Sequence, residues 1–511
     1  ERTGTTTLNK IGAGTVRVAN VQFTNTDGTD ASATFGWNVA GGTLQIGANN
    51  AMPATAMTLA NSAGATLDLN SYNETVTSLG GGGATGGNVA LGSGTLTVNG
   101  SGAYAGNISG TGALTKTGTG TLNLAGTSNY NGATTVNNGT LQLGIANALP
   151  VATALAVGST AAATFDLNNQ PQTVGSLNGG ASGAVTLGGG ALSITGAATS
   201  NFAGTISNSI GTAALIVGGV NPTTLSGNIN GDLTLDKYDS GTLTLSGTST
   251  YTRDTNIWAG TVVVQSAAAL GNTAAGTYVR GNGGAVLQLA NVTGGSVAEP
   301  ITLYDGALLQ NSSGSNGVSG TITVGGGIGR ISNTATTGTL LTISGNIVSD
   351  DTSGRGLAVG GSGNTTISGN IGGSNDPGGN PTRNITAGLV KNDTGTLTLS
   401  GTNSYSGGTT VSDGLLVINR SSALPTGSIL TIGANGSVEL GDSTLNGNAI
   451  PLGTSPSAGT LAPQGVAADG VHAVPEPGTL ALLAAAAACG FAIRRKKGLG
   501  IRDWGFGDLG I

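Results

Sequence analysis

Apolar and polar residues alternate one by one in short runs along most of this chain. The run Gly120-Thr121-Leu122-Asn123-Leu124 recurs in kind from Gly14, Gly42, Gly94, Gly139, Gly241 and Gly395. A period of two is the mark of a β-strand with one buried face. Gly, Asn and Ser bound each run and supply turns with positive φ. No long amphipathic helical stretch occurs before residue 479. The pattern therefore predicts an all-β chain of many short strands.

Longer units repeat above this level. Residues 114–143 hold Leu-Thr-Lys116, then Gly-Thr-Leu-Asn-Leu, then Tyr130, Val136 and Gly-Thr-Leu-Gln-Leu. Related units start at Leu235 and Leu389. The lysine precedes the tyrosine by the same interval in all three: Lys116 and Tyr130, Lys237 and Tyr251, Lys391 and Tyr405. A degenerate fourth copy begins at Lys10. A second repeat carries Thr66 onto Thr164, Thr75 onto Thr173 and Tyr104 onto Phe202, a constant shift of 98. Short strands that cannot bury a face alone must stack on their neighbours. The expected fold class is all-β: a right-handed parallel β-helix (solenoid) over residues 1–452, followed by a linker and one short C-terminal hydrophobic helix. Its core is expected to include Leu122, Leu124, Leu243, Leu245, Leu397 and Leu399, with Thr121 and Thr242 outward.

Composition agrees with tight turns and excludes several classes. The chain has 511 residues and 95 Gly, with 3% aromatic and 8% charged residues. An ordinary globular chain has about 7% Gly and about 25% charged residues. Only 13 Pro and no Gly-X-Y period exclude collagen. A hydrophobic share of 37% and a net charge of -6 do not fit a disordered chain. Sparse Lys and Arg argue against nucleic acid as a partner. The single cysteine, Cys489, leaves the strand region without disulfides or a thiolate metal site. The chain opens on Glu1-Arg2-Thr3, read as a removed signal or a fragment.

Candidate chemistry is thin. The one histidine, His472, lies in the Pro-, Ala- and Gly-rich linker at 453–473, so a Ser-His-Asp triad would have to recruit it from there. Gly441-Asp442-Ser443 is a chance-level esterase fragment, and the glycines at 80–87 lack the Lys and helix of a phosphate cradle. Asp68, Asp166, Asp236 and Asp393 sit at repeat positions and read as turn or cap residues. Tyr130, Tyr251 and Tyr405 could form an exposed row for glycan stacking, but read better as part of the solenoid wall. Lys116, Lys237 and Lys391 read as solvent-facing. No cofactor, metal or catalytic residue is expected.

The three Lys-to-Tyr units resemble the autotransporter-associated β-strand repeat, also called the passenger-associated transport repeat. That resemblance implies a bacterial extracellular parallel β-helix. Autotransporters continue into an outer-membrane barrel, whereas here the strand pattern gives way to the linker. Beyond it, Val474, Pro475, Glu476 and Pro477 precede an apolar run at 479–493 and the basic cluster Arg494, Arg495, Lys496 and Lys497. This segment, residues 474–497, resembles the PEP-CTERM sorting signal of Gram-negative bacteria, whose processing enzyme is an exosortase. The apolar run is slightly short for a comfortable membrane span, and the cations after it place the C-terminal side in the cytoplasm. Residues 498–511 extend beyond the family pattern. The expected protein is a structural or adhesive exoprotein, not an enzyme, passing through the inner membrane to the cell envelope or extracellular matrix. Its expected partners are an exosortase-type enzyme, the membrane through residues 479–493 before processing, and extracellular polysaccharide or other surface proteins. A polysaccharide-active β-helix enzyme and an autotransporter-like passenger lacking its barrel are the alternatives.

Overall fold

The computed structural model describes residues 6–21, 35–281, 284–336, 338–350, 354–372 and 384–441. These residues form 44 strands and one 3-10 turn, Ser421–Ala423, and no α-helix occurs among them. Every paired strand runs parallel to its neighbours. One ladder joins Lys237 to Ile257, Val279, Leu303, Val324 and Ser349 in turn. The step between coils is uneven along this ladder, shortest from Lys237 to Ile257 and longest from Val324 to Ser349. The whole is a parallel β-solenoid of about 18 turns, roughly 85 Å long at ~4.8 Å per coil.

The alternation read from the sequence sets the faces. In Thr121–Leu124, Thr242–Leu245 and Thr396–Leu399 both leucines are buried, while Thr121 is exposed and Thr242 half-buried. Leucine, valine and isoleucine from all coils join one continuous core. Coil-to-coil contact is close enough to dictate glycine at some corners. Gly139 has φ of +67°, and a Cβ there would lie 2.4 Å from the Gly118 carbonyl oxygen of the coil before. Both facts exclude a side chain.

The duplication seen in the sequence is visible strand for strand. Glu74–Val76 corresponds to Gln172–Val174, Ser78–Gly81 to Ser176–Gly179, and Gly102–Tyr104 to Ser200–Phe202. The copies do not sit on the same face. The ladder holding Glu74–Val76 runs through Thr95–Asn99, Ala113–Thr117, Thr134–Val136 and Ala154–Val157 to Ser176–Gly179. The first strand of one copy thus stacks under the next strand of the other. The block is not a whole number of coils, and the second copy lies one face around from the first.

Because each inward leucine is closed off by the coils above and below, Leu243→Ala should cost about 2–5 kcal/mol. Leu243→Asp should cost more, by burying an unpaired charge, and Thr121→Ser should change little. Thermal melts followed by circular dichroism check all three. An unchanged melt for Leu243→Asp would refute the assigned register.

Candidate functional site

The repeat units place their polar residues differently from the sequence expectation in one respect. Lys116, Lys237 and Lys391 do not face solvent; all three are buried. Each stands two residues after an inward residue, as Lys116 follows Leu114, so strand alternation turns it toward the core. The stem lies in the core while the ammonium group curls back into the corner. Lys116 Nζ donates to the carbonyls of Thr117 at 2.6 Å, Gly118 at 2.7 Å and Asn138 at 3.3 Å. Lys237 and Lys391 bind the three equivalent carbonyls, at Tyr238, Asp239 and Ala259 and at Asn392, Asp393 and Asp413. Lys10, in the degenerate fourth copy, holds Ile11, Gly12 and Gly41. The lysine thus caps carbonyls that the corner would leave unpaired. Burial draws Lys237 down to about 8, against the pull of Asp239, and lowers Lys116 and Lys391 in the same direction.

Tyr130, Tyr251 and Tyr405 are fully buried in the wall, not an exposed row. Each hydroxyl pairs with a threonine four residues on, Thr134, Thr255 or Thr409. The aspartates act in turns and between coils. Asp68 accepts from the Asn70 amide at 2.8 Å, and Asp166 from the Asn168 amide at 2.9 Å, one pair the duplicated image of the other. Asp393 has φ of +59° and accepts from the Gly361 amide at 2.7 Å. Asp236 instead accepts from Asn256 Nδ2 on the neighbouring coil.

One cluster was not anticipated from sequence. Tyr238, Trp258, Arg280 and Tyr304 each follow the end of a strand, and each amide donates to the carbonyl one coil back, at Val217, Lys237, Ile257 and Val279. They form a column, one residue per coil. The rings of Tyr238 and Trp258 stack, with centroids 5.9 Å apart and planes 5° from parallel. The Arg280 guanidinium lies 4.8 Å from the Trp258 ring, 4.6 Å from Tyr304 and 5.3 Å from Tyr278 beside the column. Tyr238 is 42% and Trp258 40% exposed. Aligning the repeat units would have exposed the signal. Where the second unit has Tyr238 and Trp258, the first has Thr117 and Asn137 and the third has Asn392 and Ser412.

Two carboxyls are buried inside the wall. Glu74 is pushed up to about 7 by burial, which outweighs amide donors at Thr75 and Ala51. Its image in the second copy is Gln172, which holds the same kind of place with both an acceptor and a donor, bonding the Leu149 amide and carbonyl. Glu299 is pushed up to about 8 by burial, with the charge of Asp254 adding, and neither oxygen is hydrogen-bonded within the described residues. Among those residues no group of three His, Cys, Asp or Glu could hold a metal ion, and no helix is long and apolar enough to cross a membrane. Asp442, His472, the sorting motif Val474 to Pro477 and the cluster Arg494 to Lys497 lie outside the described residues, as does the apolar run at 479–493.

Two measurements follow from these placements. Lys116→Met keeps the stem and strands the corner carbonyls, so it should lower stability by about 1–3 kcal/mol, read as a lower melting temperature. The raised carboxyls act on pH dependence. Their stabilising, protonated form is fully present below the unfolded carboxyl pKa of about 4.3. That contribution is lost as pH rises through about 7 at Glu74 and about 8 at Glu299. Hydrogen exchange should quicken beyond the intrinsic rate change between about pH 4 and pH 7 in the coils around residue 74, and between about pH 4 and pH 8 around residue 299. Glu74→Gln and Glu299→Gln should each abolish the excess locally.

Comparison with known proteins agrees with this geometry. Residues 114–143, 235–264 and 389–418 match the family described as passenger-associated transport repeat, and residues 473–496 match the PEP-CTERM protein-sorting motif. A stretch of 96 residues, 19% of this chain, is 45% identical to the adhesin BmaC autotransporter of Brucella suis biovar 1 (strain 1330). The chain spans about 2% of that adhesin's length. A parallel β-solenoid carrying three passenger-associated transport repeats and a PEP-CTERM sorting motif is the make-up of an exported protein of the cell surface or extracellular space.

Proposed function

We propose that this chain is a non-catalytic adhesive exoprotein, delivered by exosortase-type processing of its C-terminal segment. The observation that carries the reading is the presence, on one chain, of passenger-type repeats and the PEP-CTERM motif. The likeness to an autotransporter adhesin supports the adhesive part. A rod of about 18 turns offers a long ladder of outward positions, each changeable without touching the core. Extracellular polysaccharide or other surface proteins are the partners such a rod would meet.

Delivery rests on three signals in order. Pro475 and Pro477 each fix φ, and Pro477 also restricts Glu476, so the sequence of the motif favours a stiff, extended backbone. The apolar run at 479–493 holds the chain in the membrane. Arg494, Arg495, Lys496 and Lys497 stop transfer and set orientation. Cleavage at or near Pro475 to Pro477 would then free the solenoid or pass it to a new anchor.

Expression in a host that carries an exosortase tests this. Wild-type mature protein should lose everything after the motif, including Cys489 and Trp504. A variant with Glu476→Ala and Pro477→Ala should stay membrane-bound at full length. Mass spectrometry that finds residues 498–511 still joined to the repeats in mature extracellular wild type would reject processing. Incubation of the purified repeats with acidic polysaccharides should yield no new reducing ends or unsaturated products; their appearance would reject the non-catalytic reading.

A further inference from the structure

Tyr238 and Trp258, the half of the column that lies inside a repeat unit, are not demanded by that repeat. The first and third units fold the same corner, with the same lysine clamp, around Thr117 and Asn137 or Asn392 and Ser412. In a chain with 3% aromatic residues, four rings meet at this one outward place: Tyr238, Trp258, Tyr278 and Tyr304. We propose that the column is a binding platform for a neutral, hydroxyl-rich polysaccharide laid along the solenoid axis. This names the partner of the adhesive reading above and rests on it.

Geometry and chemistry both favour that ligand. Coils rise by ~4.8 Å, close to the length of one pyranose ring, so successive column positions meet successive sugars. A pyranose shows an apolar C–H face, which suits Tyr and Trp, and hydroxyls that both donate and accept. Beside the rings runs a polar line that can do both. Asn256 Nδ2 donates to Asp236 Oδ1 at 3.0 Å, and Arg280 Nη2 donates to Asn256 Oδ1 at 3.3 Å. The rings are already held, by stacking and by the guanidinium between Trp258 and Tyr304, so little rotamer freedom is lost on binding. Charge selects against polyanions. Asp236, Asp239, Asp254 and Asp305 lie around the column, while the Lys237 ammonium is turned into the corner, leaving Arg280 as the cation at its face. Single-stranded nucleic acid could also stack on such rings, but its phosphates would meet these carboxylates. The platform spans four coils, because Gly218 and Gly325 occupy the same position in the flanking coils. A Cβ on Gly325 would lie 2.8 Å from Thr302 Cγ2 and 3.1 Å from the Tyr304 ring, so a side chain there would have to push one or both aside.

The test is affinity electrophoresis of the full chain in gels containing hydroxyethylcellulose, laminarin or galactomannan, with polygalacturonate and an oligo-dT chain as anionic controls. Wild type should be retarded by at least one neutral polysaccharide. Trp258→Ala should bind about tenfold more weakly, with at most a small fall in the melting temperature since Trp258 stands outside the core. Trp258→Phe should restore retardation, and Asn137→Ala, at the equivalent place in the first unit, should match wild type. If Trp258→Ala lowers the melt further, Tyr238→Asn, the residue type the third unit carries at that place, decides the matter instead: it should weaken retardation, and undiminished retardation with a normal melt would overturn the platform. Equal retardation of wild type and a normally melting Trp258→Ala would overturn the platform, as would retardation by the anionic polymers alone or by none of the gels. Adherence of whole protein to polysaccharide-coated and protein-coated surfaces separates the two readings: adherence without any retardation overturns the platform only, and failure of both overturns the adhesive function with it.

Discussion

Each coil of this molecule can satisfy its backbone only through the coils above and below. Strand N–H and C=O groups point along the axis, and the ladder closes between one coil and the next, as from Lys237 to Ile257 and on to Val279. Everything else adapts to that spacing of ~4.8 Å. Side chains that point inward must fill a thin layer, which favours Leu, Val and Ile over larger rings. Corners must turn within that thickness, which favours Gly wherever one coil's Cα meets the carbonyl of another. Corner carbonyls that no amide can reach need a donor from elsewhere, and the lysine clamp supplies it. The unusual composition, rich in Gly and poor in charge and aromatics, is therefore a record of coil-on-coil stacking and not of any binding chemistry.

This explains what could be read before the structure and what could not. The strands at Thr121, Thr242 and Thr396 were legible because burial on one face imposes a period of two. The wall position of Tyr130 and the turn role of Asp68 were legible from their recurrence. The lysines were misread because charge was weighed above phase. Leu114 and Lys116 share a strand face, and the phase alone says inward; only the three carbonyls that receive the ammonium make that tolerable. The aromatic column was hidden for another reason. The interval between its members lengthens at each step, from Tyr238 to Trp258, then to Arg280, then to Tyr304. Coil length varies, so no fixed period reveals them. The sorting segment was legible from its order of Pro-Glu-Pro, apolar run and basic cluster, a signal that does not depend on the fold before it.

Structure and surface divide the labour cleanly in this architecture. Inward positions and corners are constrained by neighbours, whereas outward positions answer mostly to solvent and partners. The middle unit illustrates the division. Its Lys237, Tyr251 and Gly260 keep the arrangement of the other units, while Tyr238 and Trp258 replace small polar residues at no evident cost to the ladder.

The fractional-turn duplication carries a consequence for presentation. Because related strand sequences are accommodated on different faces, the wall has no privileged side, and segments need not be gained or lost in whole turns. Adding one strand and its corner would lengthen the rod only slightly yet turn everything beyond it onto another face, as the duplicated block is turned. Azimuth, and not only reach, is then open to change: the direction in which an outward column faces, relative to the coils on the other side of the insertion, can be reset by an insertion far from the column itself.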